Sequence, residues 1–127
     1  MTRSVGAILA GLILSGTASA GVLATGIGFA ENIGAECEVA NIGSKPVTVT
    51  SVSVIDGTGA VRSTTSNCTF PGQIFAGLMC GVSASITGSD TGLKRYLRCV
   101  IVTSSKSNIR GTMRFVNASG EVVLDAH

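Results

Sequence analysis

Four cysteines, Cys37, Cys68, Cys80 and Cys99, are the residues of this 127-residue chain best suited to chemistry. Their spacings are wide, with no Cys-x-x-Cys pair, and the only histidine is the terminal His127. A zinc site needs thiolate and imidazole ligands at recurring close spacings, so these residues predict no metal centre. A nucleophilic Ser or Cys needs a base held beside it, and a terminal His127 offers none. The acids are scattered over separate turns and strands, which gives no carboxylate pair of the kind that cleaves glycosides. Gly57-Thr58-Gly59 precedes no helix and reads as a turn, not a phosphate loop. The expectation is a non-enzymatic chain without catalytic residues, metal or cofactor, whose cysteines form two disulfides.

Two segments have the composition of a binding surface. Lys94, Arg95, Arg98, Lys106, Arg110 and Arg114 cluster late in the chain, although the net charge is only +2. That balance is too weak to imply nucleic acid. If residues 94–103 pair with 109–116 as a hairpin around Lys106, Arg98 falls near Arg114 on the outward face. Like charges opposed across a ladder are unfavourable unless neutralised. Either Glu36 and Glu38 on a neighbouring strand supply the counter-charge, or Arg98, Arg110 and Arg114 receive an anionic partner such as an envelope glycan. The second segment runs from Cys68 to Cys80 and holds Phe70, Ile74, Phe75, Leu78 and Met79. A cross-link there would pre-organise an interface loop around Phe70, Ile74 and Phe75; alternatively, these side chains cap one end of the core. Asn117-Ala118-Ser119 also matches a glycosylation sequon in what reads as a turn.

The elements that must position these residues are strands. Cys37 and Val39 alternate with Glu36 and Glu38 over 35–42, the period of a half-buried strand. Residues 46–55 are almost wholly β-branched or small, and their apolar phase switches at Ser51, which predicts a bulge. Asp56-Gly57-Thr58-Gly59 is a turn signal, with a short return strand after it over 60–64. Residues 66–78 show no period and read as a loop. Cys80, Val82, Ala84 and Ile86 then alternate with Gly81, Ser83, Ser85 and Thr87; further strands are expected over 94–103, 109–116 and 121–124. About seven short strands with regular turns and no amphipathic helix predict an all-β antiparallel sandwich over 35–127. The chain has no Trp, so its core must be built from aliphatic residues and a few Phe rings.

The N-terminus has the layout of an export signal, residues 1–20. Arg3 supplies the positive charge, Val5 to Leu14 a short apolar run, and Ala18-Ser19-Ala20 a small-x-small cleavage site. Gly28-Phe29-Ala30 is a second candidate site, so cleavage is expected after Ala20 or Ala30. Residues 21–34 would be an apolar leader or a first strand. Membrane contact is then expected only through the signal before cleavage, and the mature chain is secreted or periplasmic. An uncleaved anchor is the alternative, since no charge occurs from Ser4 through Ala30.

Of the three ways to pair four cysteines, Cys37–Cys99 and Cys68–Cys80 are expected. The first pair lies mid-strand on inward faces, and the second flanks one loop. The Cys37 and Cys99 arrangement resembles the inter-sheet bridge of immunoglobulin-like domains, which implies an immunoglobulin-like sandwich from about Ala35 to Leu124. Cys37-Glu38-Val39-Ala40-Asn41-Ile42-Gly43, Tyr96-Leu97-Arg98-Cys99 and Asn108-Ile109-Arg110-Gly111-Thr112 are also similar to segments of small exported bacterial proteins. Together these features suggest a binding or structural module of the bacterial envelope or extracellular space, with an unidentified protein or anionic glycan as partner. Two other roles fit: a filament subunit assembled by strand addition through 21–30, or a secreted inhibitor presenting the loop 68–80.

Overall fold

The computed structural model describes residues 21–31, 34–117 and 120–127. The expected export signal, residues 1–20, and Ala118-Ser119 of the sequon lie outside the described residues. The described chain forms β1 (Gly21–Ala24), β2 (Gly28–Phe29), β3 (Gly34–Asn41), β4 (Val47–Asp56), β5 (Ser63–Ser66) and β6 (Gly72–Ile74). β7 (Met79–Ser85), a 3-10 turn (Gly92–Arg95), β8 (Tyr96–Thr103), β9 (Ile109–Asn117) and β10 (Gly120–Asp125) follow. One sheet runs β1-β8-β4-β6, with β2 also paired to β8; the other runs β10-β9-β3-β7-β5.

The sandwich is as expected, but the described residues form ten strands rather than about seven. Alternation decides which face each strand buries. Cys37 and Val39 of β3, Leu97, Cys99 and Ile101 of β8, and Met113 and Phe115 of β9 are all buried between the sheets. In β4 the buried apolar residues are Val47 and Val49, then Val52 and Val54, and the register against β8 shifts between Val49 and Ser51. The extra residue of this bulge is what moved the apolar phase.

Residues 21–30 are neither a loose leader nor a separate unit. β1 pairs with β8 from Gly21 opposite Thr103 to Ala24 opposite Val100, and β2 places Gly28 opposite Leu97. Where the chain kinks between them, the buried Thr25 hydroxyl accepts a hydrogen bond from the Cys99 amide at 2.9 Å. Leu23 and Ala30 are buried. Gly28 sits so close beneath Phe115 that an added Cβ would meet the ring at 2.2 Å. The C-terminus closes the same side: Ala24 and His127 exchange two backbone hydrogen bonds of 3.2 Å, tying β1 to the chain leaving β10.

The connections correct three sequence expectations. The chain after Asp56 begins as a hairpin, with Ile55 bridged to Val61, then crosses to the other sheet as β5 against β7. The supposed loop 66–78 contains β6, which extends the first sheet by pairing Val47 with Ile74 and Val49 with Gly72. Strands β8 and β9 do not form a hairpin at all; they belong to opposite sheets. Their link is fastened at both ends, by the Ser104 amide on the Thr48 carbonyl (2.8 Å) and the Ile42 amide on the Asn108 carbonyl (2.9 Å).

The pairs β3–β7 and β4–β8, joined by the cystine between β3 and β8, occupy the places of the central strands of immunoglobulin-like sandwiches. The edges are exchanged. The first strand, β1, lies beside β8 where such domains put their last strand, and β9 lies beside β3 where they put their first.

Candidate functional site

Both disulfides pair as expected. Cys37 and Cys99 link the two sheets with Cα atoms 5.6 Å apart, and Cys68 and Cys80 close a short loop with Cα atoms 5.3 Å apart. The first is wholly buried. The second anchors β5 to the start of β7, where the Gly81 amide donates to the Asn67 side-chain oxygen at 2.7 Å.

The basic residues do not converge. Arg98 is exposed on the sheet containing β8, opposite Ile55, whereas Arg110 and Arg114 are exposed on the other sheet. The expected approach of Arg98 to Arg114 is therefore corrected: the hairpin that would have produced it does not exist. Arg114 lies in register with Glu36 and reaches Glu121 at 3.2 Å and Glu38 at 3.9 Å. Arg110 reaches Asp125 at 3.6 Å. Such exposed pairs contribute little stability, but they place counter-charges beside the two guanidinium groups. Arg98 is the one exposed charged side chain on the strands of its sheet, among Val22, Phe29 and Tyr96. The last two rings meet edge to face at 5.2 Å.

The stapled loop splits in two. Ile74 is buried at the sandwich edge, and Phe70 packs half-buried against the core. Phe75 (57% exposed), Leu78 (57%) and Met79 (59%) face solvent. So Phe70 and Ile74 cap the core, as one of the two sequence readings allowed, and only Phe75 of the three expected interface residues stands out.

A groove starts at this apolar end and runs along the outer face of β7. Its first depression, about 240 Å³, lies among Phe75, Leu78 and Met79. The next, about 370 Å³, lies between Glu36 and Glu38 on one side and Thr65 and Asn67 on the other. A third, about 510 Å³, continues past Ser83 and Ser85 to Arg114 and Glu121. The first two depressions share Asn67 and Met79 and the last two share Glu36 and Ser83, so they lie end to end along this face. The floor is low because beyond Met79 the outward residues of β7 are Gly81, Ser83 and Ser85, all small. At Gly81 even a methyl group does not fit, since a Cβ would meet the Cys37 carbonyl oxygen at 2.8 Å. Three carboxylates, Glu36, Glu38 and Glu121, face one guanidinium, Arg114.

Sequence reasoning passed over this groove, treating Glu36 and Glu38 only as counter-charges. The signal was present in Gly81, Ser83 and Ser85 on the outward phase of one strand, but not its flanking walls, which come from β3 and β5. Among the described residues, no group of three His, Cys, Asp or Glu side chains is placed to hold a metal ion. No family model, no curated protein and no solved structure matches the chain.

Proposed function

We propose that this chain is an exported, non-enzymatic binding or structural module of the bacterial envelope or extracellular space, held rigid by two disulfides. The observation that carries the reading is the cystine Cys37–Cys99, buried where the two sheets meet, with Cys68 and Cys80 also paired. Structural disulfides persist outside the reducing cytosol and are rare within it. No helix among the described residues is long and apolar enough to cross a membrane.

The start of the fold supports cleavage after Ala20. Cleavage after Ala20 would keep the described strands β1 and β2 in the mature chain. Cleavage after Ala30 would remove β1 and β2 and, with them, the buried Leu23, Thr25 and Ala30. The same pairing weighs against a filament built by donating residues 21–30, because that segment already completes its own sheet.

A reporter fusion tests the reading. Residues 1–34 joined to a phosphatase that is active only with its own disulfides formed should give activity outside the cytoplasm. The exported full chain should begin at Gly21. An inactive fusion, or a full-length chain retained in the cytosol, would overturn the proposal.

A further inference from the structure

We infer that the groove along β7 binds an extended segment of a partner protein with the pattern apolar–x–basic–x–basic. The inference rests on the reading of the chain as a binding module and adds the chemistry of its partner. The groove follows Met79 to Ser85, a length of about 20 Å at ~3.3 Å per residue, which accommodates about six residues of extended chain.

Charge and spacing then decide the pattern. Glu36 and Glu38 stand two residues apart on one strand, so both point to the same face, at the repeat of alternate side chains in an extended ligand. Lysine or arginine at positions i and i+2 would meet both carboxylates. Glu38 lies opposite Gly81 and Glu36 opposite Ser83, so the two are offered in turn beyond Met79. The apolar end at Phe75, Leu78 and Met79 is unpartnered, each side chain being more than half exposed. An aromatic or aliphatic side chain two positions before the first basic residue would reach it. Small floor residues, Gly81 and Ser83, let a peptide backbone approach. Three carboxylates to one guanidinium disfavour the anionic glycan that the arginines alone suggested.

The probe is a fluorescein-labelled hexapeptide, Phe-Ser-Lys-Ser-Lys-Ser, made in both chain directions and titrated against the oxidised, secreted protein by anisotropy. Saturable binding is expected for at least one direction, weakened at least tenfold by Glu36→Gln/Glu38→Gln and severalfold by Leu78→Ser. Arg114→Gln should tighten it, because a competing cation leaves the groove, and 0.5 M salt should weaken it at least tenfold, since it shortens the reach of exposed charges. Unchanged melting temperatures show that the exposed substitutions leave the fold intact. No saturable binding, equal binding of a peptide with Glu in place of Lys, or indifference to the paired Gln substitutions would overturn the inference. So would glycan binding that the same substitutions abolish, or self-association on sedimentation that they abolish, since the occupant would then be a glycan or a second copy. If export and oxidation hold while the peptides fail, only this inference falls.

Discussion

Arg62 joins two carboxylates that belong to different turns. Its guanidinium lies 2.8 Å from Asp90 and 3.6 Å from Asp56, so it ties the turn after β4 to the one before β8. Burial pushes the Asp56 carboxyl up, but the hydroxyl and amide of Thr58, the Ala60 amide and Arg62 outweigh it and hold the group below 3.8. Asp90 is held low by the Thr87 amide and by Arg62, against a smaller effect of burial. Because both folded values lie below the ordinary one, the unfolded chain takes up these protons first as pH falls. Stability from this pair should be complete above about pH 5 and drain away below about pH 4. Urea midpoints of wild type and Arg62→Gln should therefore differ at pH 7 and converge below pH 4; a constant gap would show that the contacts are not what depresses the two carboxyls. Asn41 is a second such point. It is buried, and its side-chain amide donates to the carbonyls of Ile74 (2.8 Å) and Lys45 (2.7 Å). Asn41→Ala should cost about 1–3 kcal/mol in denaturant unfolding, the usual penalty for orphaned buried polar groups. Neither role was legible in the sequence, because each joins residues far apart on different elements: Arg62 and Asp90 are 28 residues apart, and Asn41 and Ile74 are 33 apart.

At the scale of elements, what could be read depended on period alone. The β-branched run of β4 and the phase change at its bulge were legible because side chains alternate whatever the strand pairs with. The partner of each strand was not. Two strands joined by Ser104 to Asn108 look like a hairpin, and only the hydrogen bonds of that link to both sheets reveal a crossing. β6 went unseen because three residues carry too little pattern. The N-terminal strands bear the clearest consequence. Deleting residues 21–30 would strip β8 of β1 and β2 and uncover the core under Phe115. The truncated protein should lose its near-ultraviolet signal and aggregate. A soluble, folded truncation that merely loses oligomers would instead favour filament assembly. Gly28→Ala should act in the same direction, costing about 1–3 kcal/mol by forcing a methyl group into the Phe115 ring.

For the whole molecule, the disulfides set how much stability survives reduction. Cys37 and Cys99 are 62 residues apart and Cys68 and Cys80 are 12 apart. Loop entropy in the unfolded chain then makes the long bridge worth about 4 kcal/mol and the short one about 3 kcal/mol. Paired Ser substitutions should follow that order in chemical unfolding. A domain of this size has only ~5–15 kcal/mol in total, so losing the inter-sheet bridge should leave it marginal at body temperature, whereas losing the staple should mainly loosen the apolar end of the groove. The wide spacing and inward phase of the cysteines made this framework readable from the sequence. The groove was not readable, since its walls meet only once three strands lie side by side. The most direct test of the account is a non-reducing peptide map of the exported protein. It should recover Cys37 linked to Cys99 and Cys68 to Cys80, on a chain whose first residue is Gly21. Free thiols, exchanged partners or a chain beginning at Glu31 would contradict it.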